Sequence, residues 1–486
     1  VVMCALLQAF SAGVTAFATR EVFVLLGGGR GALPVGALWA IFLGACGIAL
    51  FRWSGGVAAE RLGHDYASSL RLRLFRHIAR LPSGEHARHR VGGMSLRFVG
   101  DLTAVRQWVS LGLARMIAAA IVVPSLFLVL LLIQPAFAAL ALLPVVAGLF
   151  VIAWLGRGLI GRHRRLRSQR SRLASDVAER LTVAPQLRLM GRIRLESAVL
   201  ARRSRHLAEA GVSRQRLALL MSVTPDVAGG VAAALLLFAT FGRDLPSADA
   251  AAGLAVLALL LQPLRELAHC WDRYCAWHTA KERCERLLAQ RRLPLRREAA
   301  PARSGPMAVR LVRRVNGERR VLKIAPGEVV ALKGASGSGK STLLRQLAGV
   351  EVMRRGKVLL DGAAATAQAG TPGAGVALIA ADTPILAGSL RRALTLGVSP
   401  RPSDADIRRV AMEFGLASLL QREGGLELRV ADGGRNLSSG ERRRILLARA
   451  VLSGARLLLL DEPERDLASE ARQLLTTLLR HCQGVT

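Results

Sequence analysis

Six apolar stretches, each near the roughly 20 residues a helix needs to cross a bilayer, fill the first part of this 486-residue chain. They run over about 3–27, 35–55, 110–134, 136–156, 217–241 and 248–268. A hydrophobic content of 52% and a mean hydropathy of +0.34 are too apolar for an ordinary soluble protein. Membrane spans are the economical explanation. Only Gln134-Pro135 separates the third stretch from the fourth, which fits a tight turn. The sixth stretch is the weakest span. Gln262, Arg265, Glu266 and His269 come early in it, so it is expected to continue as a helix into water. No acid in the spans looks suited to a cation path.

The chain is apolar from its first residue and lacks a basic leader and a small-residue cleavage site. A membrane helix is expected there, not a signal peptide, with the natural N-terminus further upstream. Six Cys (4, 46, 270, 275, 284 and 482) show no Cys-x-x-Cys spacing, and nothing suggests a disulfide framework. His269, Cys270, Cys275, His278 and Cys284 lie close in sequence but fit no common zinc pattern. Polar and small residues on a long helix are the simpler reading.

Charge then sets orientation. Residues 52–106 hold ten Arg against four acids, and residues 157–216 hold sixteen against four. The remaining connections are short and nearly neutral. By the positive-inside rule the two long basic loops face the cytoplasm, and so does everything after 268. Within these loops 66–81 and 165–181 carry apolar residues at helical spacing, as expected of membrane helices extended beyond the bilayer. The net charge of +34 does not make this a nucleic-acid binder. The excess is almost all Arg, with five Lys in the chain, and no aromatic-and-basic stretch is suited to base stacking. A Pro-, Arg- and Ala-rich segment, 289–306, reads as a linker.

The second part opens on a different pattern. "VVALKGASGSGKSTLLRQLAGV" (329–350) reads as strand, glycine loop and helix. Within it Gly334, Ser336, Gly337, Ser338, Gly339, Lys340, Ser341 and Thr342 fit the phosphate-loop pattern G-x-x-x-x-G-K-[S/T]. Glycines let backbone N–H groups turn inward around phosphates. The helix behind points its positive end at them. Lys340 is expected to reach the β- and γ-phosphates of ATP, and Ser341 to give its hydroxyl to Mg²⁺. "ARLLLLDEPE" (455–464) reads as a buried strand ending in Asp461, a second Mg²⁺ ligand. Glu462 follows it as the catalytic residue that orients the attacking water. In "NLSSGERRRILLARAVL" (436–452), Ser438 either caps a helix or meets an anion at the helix end.

These three motifs resemble the Walker A, signature and Walker B motifs of ABC ATPases. Six spans followed by such a domain are similar to an ABC exporter half-transporter. The fold this implies is an all-α membrane domain (1–288), a linker (289–306) and an α/β phosphate-loop ATPase domain (307–486) that stops short of the strand carrying the family's switch histidine. His481 precedes that strand and is not given its role. The resemblance further implies a second half-transporter as partner, homo- or heterodimeric. Ser438, Ser439 and Gly440 would then face ATP bound to that partner, and a lipid, peptide or amphiphile would be exported across a bacterial cytoplasmic membrane. Coupling segments are expected near 91–101 and 178–190. Departures from the family pattern are Val315 in place of an adenine-stacking aromatic, Ala381 for a Gln, Ala468 for an Asp, and Ser439 and Glu441 in the signature. They raise the alternative of an ATP-binding but weakly hydrolysing regulatory half.

Overall fold

The computed structural model describes residues 1–27, 34–88, 100–242, 246–294, 305–315, 318–353, 355–369, 375–380, 382–462, 471–481 and 486. The chain divides into two compact units, residues 1–77 with 89–290, and residues 78–88 with 291–486.

The first unit is helical. Its helices are α1 (Val2–Gly27) and α2 (Val35–Ile78), which is followed by the short α3 (Ser83–Arg88) of the other unit. Then come α4 (Leu102–Gln107), a π-helical turn (Trp108–Leu113), α5 (Ala114–Ile133) and α6 (Pro135–Arg157). The unit ends with α7 (Leu159–Thr182), α8 (Ala184–Leu189), α9 (Ile193–Gly242) and α10 (Ser247–Leu288). Six helical runs are long and apolar enough to span a membrane, as the sequence leads one to expect. The break between α5 and α6 falls at Gln134, whose extended backbone lets Pro135 open the next helix. The sixth span continues without interruption to Leu288. α6 packs on α9, and α10 packs on α1, α5 and α9. Where they meet, Leu126, Leu130, Phe137, Leu236, Val256 and Leu260 form the core. α9 and α10 approach closely at Gly253, where a Cβ would stand 2.8 Å from Leu236.

The second unit is mixed α/β. β1 (Val309–Val315), β2 (Glu318–Ile324), β3 (Gly356–Leu360) and β4 (Ala363–Ala364) form an antiparallel sheet in the order β2-β1-β3-β4. β5 (Val376–Ile379) and β8 (Leu457–Leu460) pair in parallel, and β6 (Gly388–Ser389) pairs with β7 (Arg429–Val430). The helices are α11 (Lys340–Leu347), α12 (Ala365–Gln368), α13 (Leu390–Thr395), α14 (Asp404–Glu413), α15 (Ala417–Gln421), α16 (Ser439–Leu452) and α17 (Ala471–His481). The four leucines of β8 serve two cores. Leu457 and Leu459 join the sheet side, while Leu458 and Leu460 pack on the helical side. A strand covered on both faces is therefore apolar throughout, not alternating.

One expected strand differs. Val329–Leu332 carries no strand pairing, and Val329 is 77% exposed. An apolar run becomes a strand only where a neighbour takes its backbone groups, and no described residue offers this segment a ladder. The segment 78–88 belongs to the ATPase-side unit through specific bonds. Glu351 accepts from Ser83 Oγ at 2.7 Å and from Gly84 N–H at 2.5 Å. Leu293 N–H donates to Arg80 O at 2.7 Å. Of the coupling segment expected near 91–101, residues 91–99 lie outside the described residues, as do 295–304 of the linker.

Candidate nucleotide site

The glycine loop leads directly into α11. Gly337 and Gly339 have φ of +80° and +91°, values a side chain adopts only with strain. Gly339 is the N-cap of α11, and it opens that helix toward the loop. The turn closes through Ser338 N–H to Ala335 O at 3.2 Å. Lys340 Nζ donates to Gly334 O at 2.8 Å and Ala335 O at 3.0 Å. The ammonium thus folds over the loop's own carbonyls, at the level where phosphate oxygens would meet it. Ser336 is exposed; Ser341 and Thr342 lie in the first turn of α11.

Asp461 follows β8 directly. Its N–H donates to Ile379 O at 2.9 Å, which extends the β5–β8 ladder by one residue. Glu462 comes next, with φ of +48°. A non-glycine residue in the left-handed region is uncommon and is held there by its surroundings. Here the holding group is Arg443 of α16. This buried guanidinium donates to the carbonyls of both Asp461 (3.0 Å) and Glu462 (2.8 Å). Sequence reasoning passed over Arg443, one of three consecutive arginines. A signal existed. Arg443 shares a helix face with Leu446, Leu447 and Ala450, all buried, and an arginine on an apolar face needs a polar partner. Further along α16, burial lowers the pKa of the Arg449 guanidinium.

At the start of α16 the cap reading is the observed one. Ser438 Oγ accepts from Glu441 N–H at 3.0 Å, and Ser438 N–H donates to Glu441 Oε2 at 2.7 Å, a complete capping box. Glu441 also accepts from Arg422 at 2.7 Å. The capping box uses the N–H of Ser438 as donor and its Oγ as acceptor, and the hydroxyl keeps a proton with which to donate to an anion. Ser439 and Gly440 are the first residues of α16.

The oxygen donors Ser341 and Asp461 are hard ligands of the kind Mg²⁺ takes. A metal at the Cys and His residues of α10 finds no support. Cys270 donates to Gly112 O at 3.2 Å. Among the described residues no three His, Cys, Asp or Glu side chains are grouped to hold an ion. His481 pairs with Glu413 at the end of α17. Ala381 and Ala468 lie outside the described residues, and Val315 ends β1 opposite Glu318.

Comparisons with known proteins agree with this geometry. A family model described as the ABC transporter transmembrane region matches residues 1–263. A second, described as ABC transporter, matches residues 319–465. The first covers more than half of the chain, and the chain belongs to the ABC transporter family. Its order, six membrane-spanning helices followed by an ABC ATPase domain, is that of an exporter-type half-transporter. It is 36% identical over 168 residues to the glutathione/L-cysteine transport system ATP-binding/permease protein CydC of Haemophilus influenzae, covering 34% of this chain and 29% of that protein. It is 42% identical over 157 residues to the ABC transporter ATP-binding protein RamB of Streptomyces coelicolor, covering 31% and 25%. It is 34% identical over 163 residues to the ATP-dependent lipid A-core flippase of Cupriavidus metallidurans, covering 32% and 27%. The matched stretch spans less than a third of each of these relatives. In fold the chain is similar to a bacterial Atm1-family ABC exporter with ATP bound, with a TM-score of 0.85 at 20% identity over 100% of this chain and 89% of that one.

Proposed function

We propose that this protein is one half of a dimeric exporter that uses ATP to move a lipid, peptide or amphiphile out across a bacterial cytoplasmic membrane. The observation that carries the reading is the phosphate loop, with its two left-handed glycines and folded-over Lys340, in a chain whose other unit has six membrane-length helices. The loop N–H groups and Lys340 bind the phosphates. Ser341 and Asp461 would hold Mg²⁺, which would supply positive charge to offset that of the phosphates. Glu462 accepts a proton from the attacking water, and Arg443 keeps its backbone in place. Ser438, Ser439 and Gly440 meet ATP held by the partner, Ser438 through its hydroxyl proton, which the capping box does not use.

A partner is also supported by α8. Leu189 and Met190, at the tip of the α7–α9 excursion, are 88% and 69% exposed, and such an apolar tip fits docking against the partner's ATPase domain. The second reading, a weakly hydrolysing regulatory half, is favoured by Ala381, Ala468 and Glu441 at positions where the family pattern has Gln, Asp and Gln.

Association measured with and without ATP tests the proposal. In Glu462→Gln, ATP should stay bound uncleaved and hold two ATPase domains together. In Lys340→Ala that association should be lost. ATP-independent association in both variants would contradict the assignment.

A further inference from the structure

A cavity of 240 Å³ lies between α1, α2, α5 and α10 of the membrane unit. One part of its wall is charged. Glu266 of α10 accepts from Arg115 of α5 at 2.5 Å and stands 3.5 Å from the guanidinium of Arg52 on α2. Gln8 of α1 also lines the cavity. The rest of the wall on α5, including Val122 and Leu126, is apolar. In α10, Pro263 cannot donate to the carbonyl of Leu259, and both residues line the cavity.

The charged groups share one depth. Arg52 lies 17 residues past Val35, Arg115 lies 18 before Ile133, and Glu266 lies 19 past Ser247. At 1.5 Å per residue each is about 25–29 Å from the helix end that meets a short loop. In a hydrocarbon core of about 30 Å, with the long basic loops in the cytoplasm, this is the cytoplasmic edge. Leu126, 7 residues before Ile133, lies about 10 Å from the same end of α5, so the apolar wall runs outward from the charged layer.

Two cations facing one carboxylate leave one positive charge. At the cytoplasmic edge of the bilayer such a charge attracts an anionic head group. Glu266 is 17% exposed and committed, while Arg52 is 47% exposed and has the longer contact. Arg52 is therefore the group able to turn to a ligand. We propose that this cavity takes an amphiphile with an anionic head group, the head against Arg52 and Arg115 and the chain along the apolar wall of α5. A cationic head would meet two arginines. A zwitterion would bring its own cation to the same place.

This inference rests on the export reading, and its test separates the two. The transporter, purified with the partner half it carries, is placed in phosphatidylcholine nanodiscs. It is titrated with dodecyl phosphate, dodecylphosphocholine and dodecyltrimethylammonium below their micelle concentrations. Dodecyl phosphate is expected to bind about tenfold tighter than the others, the size of one hydrogen bond to a charged group. Arg52→Gln removes that preference. Arg115→Gln, which keeps Arg52 beside Glu266, is the second variant should the first not fold. Doping the discs with phosphatidylglycerol separates the sources. Competition with dodecyl phosphate identifies an anionic membrane lipid as occupant, and no competition identifies a water-borne acidic amphiphile. Equal affinity for the three probes, or a preference that survives both variants, overturns the assignment. Basal ATP turnover of the unmodified protein is read in the same discs. Turnover without head-group preference sinks the cavity assignment alone; preference without turnover sinks the export reading alone.

Discussion

At the scale of single residues, the site depends on how the end of β8 is held. Asp461 is fixed by the ladder to Ile379, but Glu462 sits beyond the ladder in a left-handed conformation. Arg443 supplies two charge-assisted hydrogen bonds to that turn, each roughly twice as strong as a neutral one. Arg443→Leu should therefore lower the turnover rate at least tenfold while changing ATP affinity less than about threefold, because positioning and not phosphate binding is disturbed. Losing two buried bonds to a charged group, at about 1.5–3 kcal/mol each, should also cost about 3–6 kcal/mol of stability. Steady-state kinetics beside ATP titration would check this, and equal losses in affinity and rate would mean that Arg443 acts only through folding. The motif residues are legible in the sequence because phosphate chemistry dictates both type and spacing. For Arg443 only its burial is legible, from the apolar helix face it shares; its partners are not, because they are backbone carbonyls 18 and 19 residues away. The partner of Glu266 is more distant still in sequence. Alone it weakens a span; with Arg115, 151 residues earlier, it forms part of a charged cavity wall.

At the scale of elements, α8 has no buried residue, and its apolar tip has no cover within its own unit. Leu189→Arg should leave the membrane unit folded, since an exposed side chain contributes little to its core. It should separate ATP turnover from transport by spoiling docking on the partner. Vesicle transport that falls while ATP turnover persists is the expected result, and unchanged transport would remove α8 from the coupling path. The helices themselves are well read from the sequence, since a membrane span is a local property of about 20 residues. Strands are read less well. β8 is apolar on both faces and is found as expected, whereas Val329–Leu332 is also wholly apolar and has no ladder among the described residues. Pairing is non-local, so composition identifies a strand only where a neighbour exists. The π-helical turn at Trp108–Leu113 has no such signature in composition. The carbonyls of Leu111 and Gly112 are met by Arg273 (2.9 Å) and Cys270 (3.2 Å) of α10, a tertiary cause.

At the scale of the whole molecule, a helical membrane unit with an amphipathic cavity is followed by an ABC ATPase domain. The order of the two parts is legible because their compositions differ so sharply. What passes between them is not, because coupling depends on segments chosen by contact and not by composition. The coupling segments expected near 91–101 and 178–190 are placed by resemblance alone, and residues 91–99 lie outside the described residues. The central claim is that binding and cleavage of ATP by this chain are real and depend on Glu462. The most direct measurement is ATP turnover by the protein reconstituted in lipid, unmodified and as Glu462→Gln, with ATP binding measured in both. The account predicts turnover that falls at least about 100-fold in the variant, the scale of a lost general base, with binding kept. Binding without turnover in the unmodified protein would contradict it and leave the regulatory half as the reading that stands.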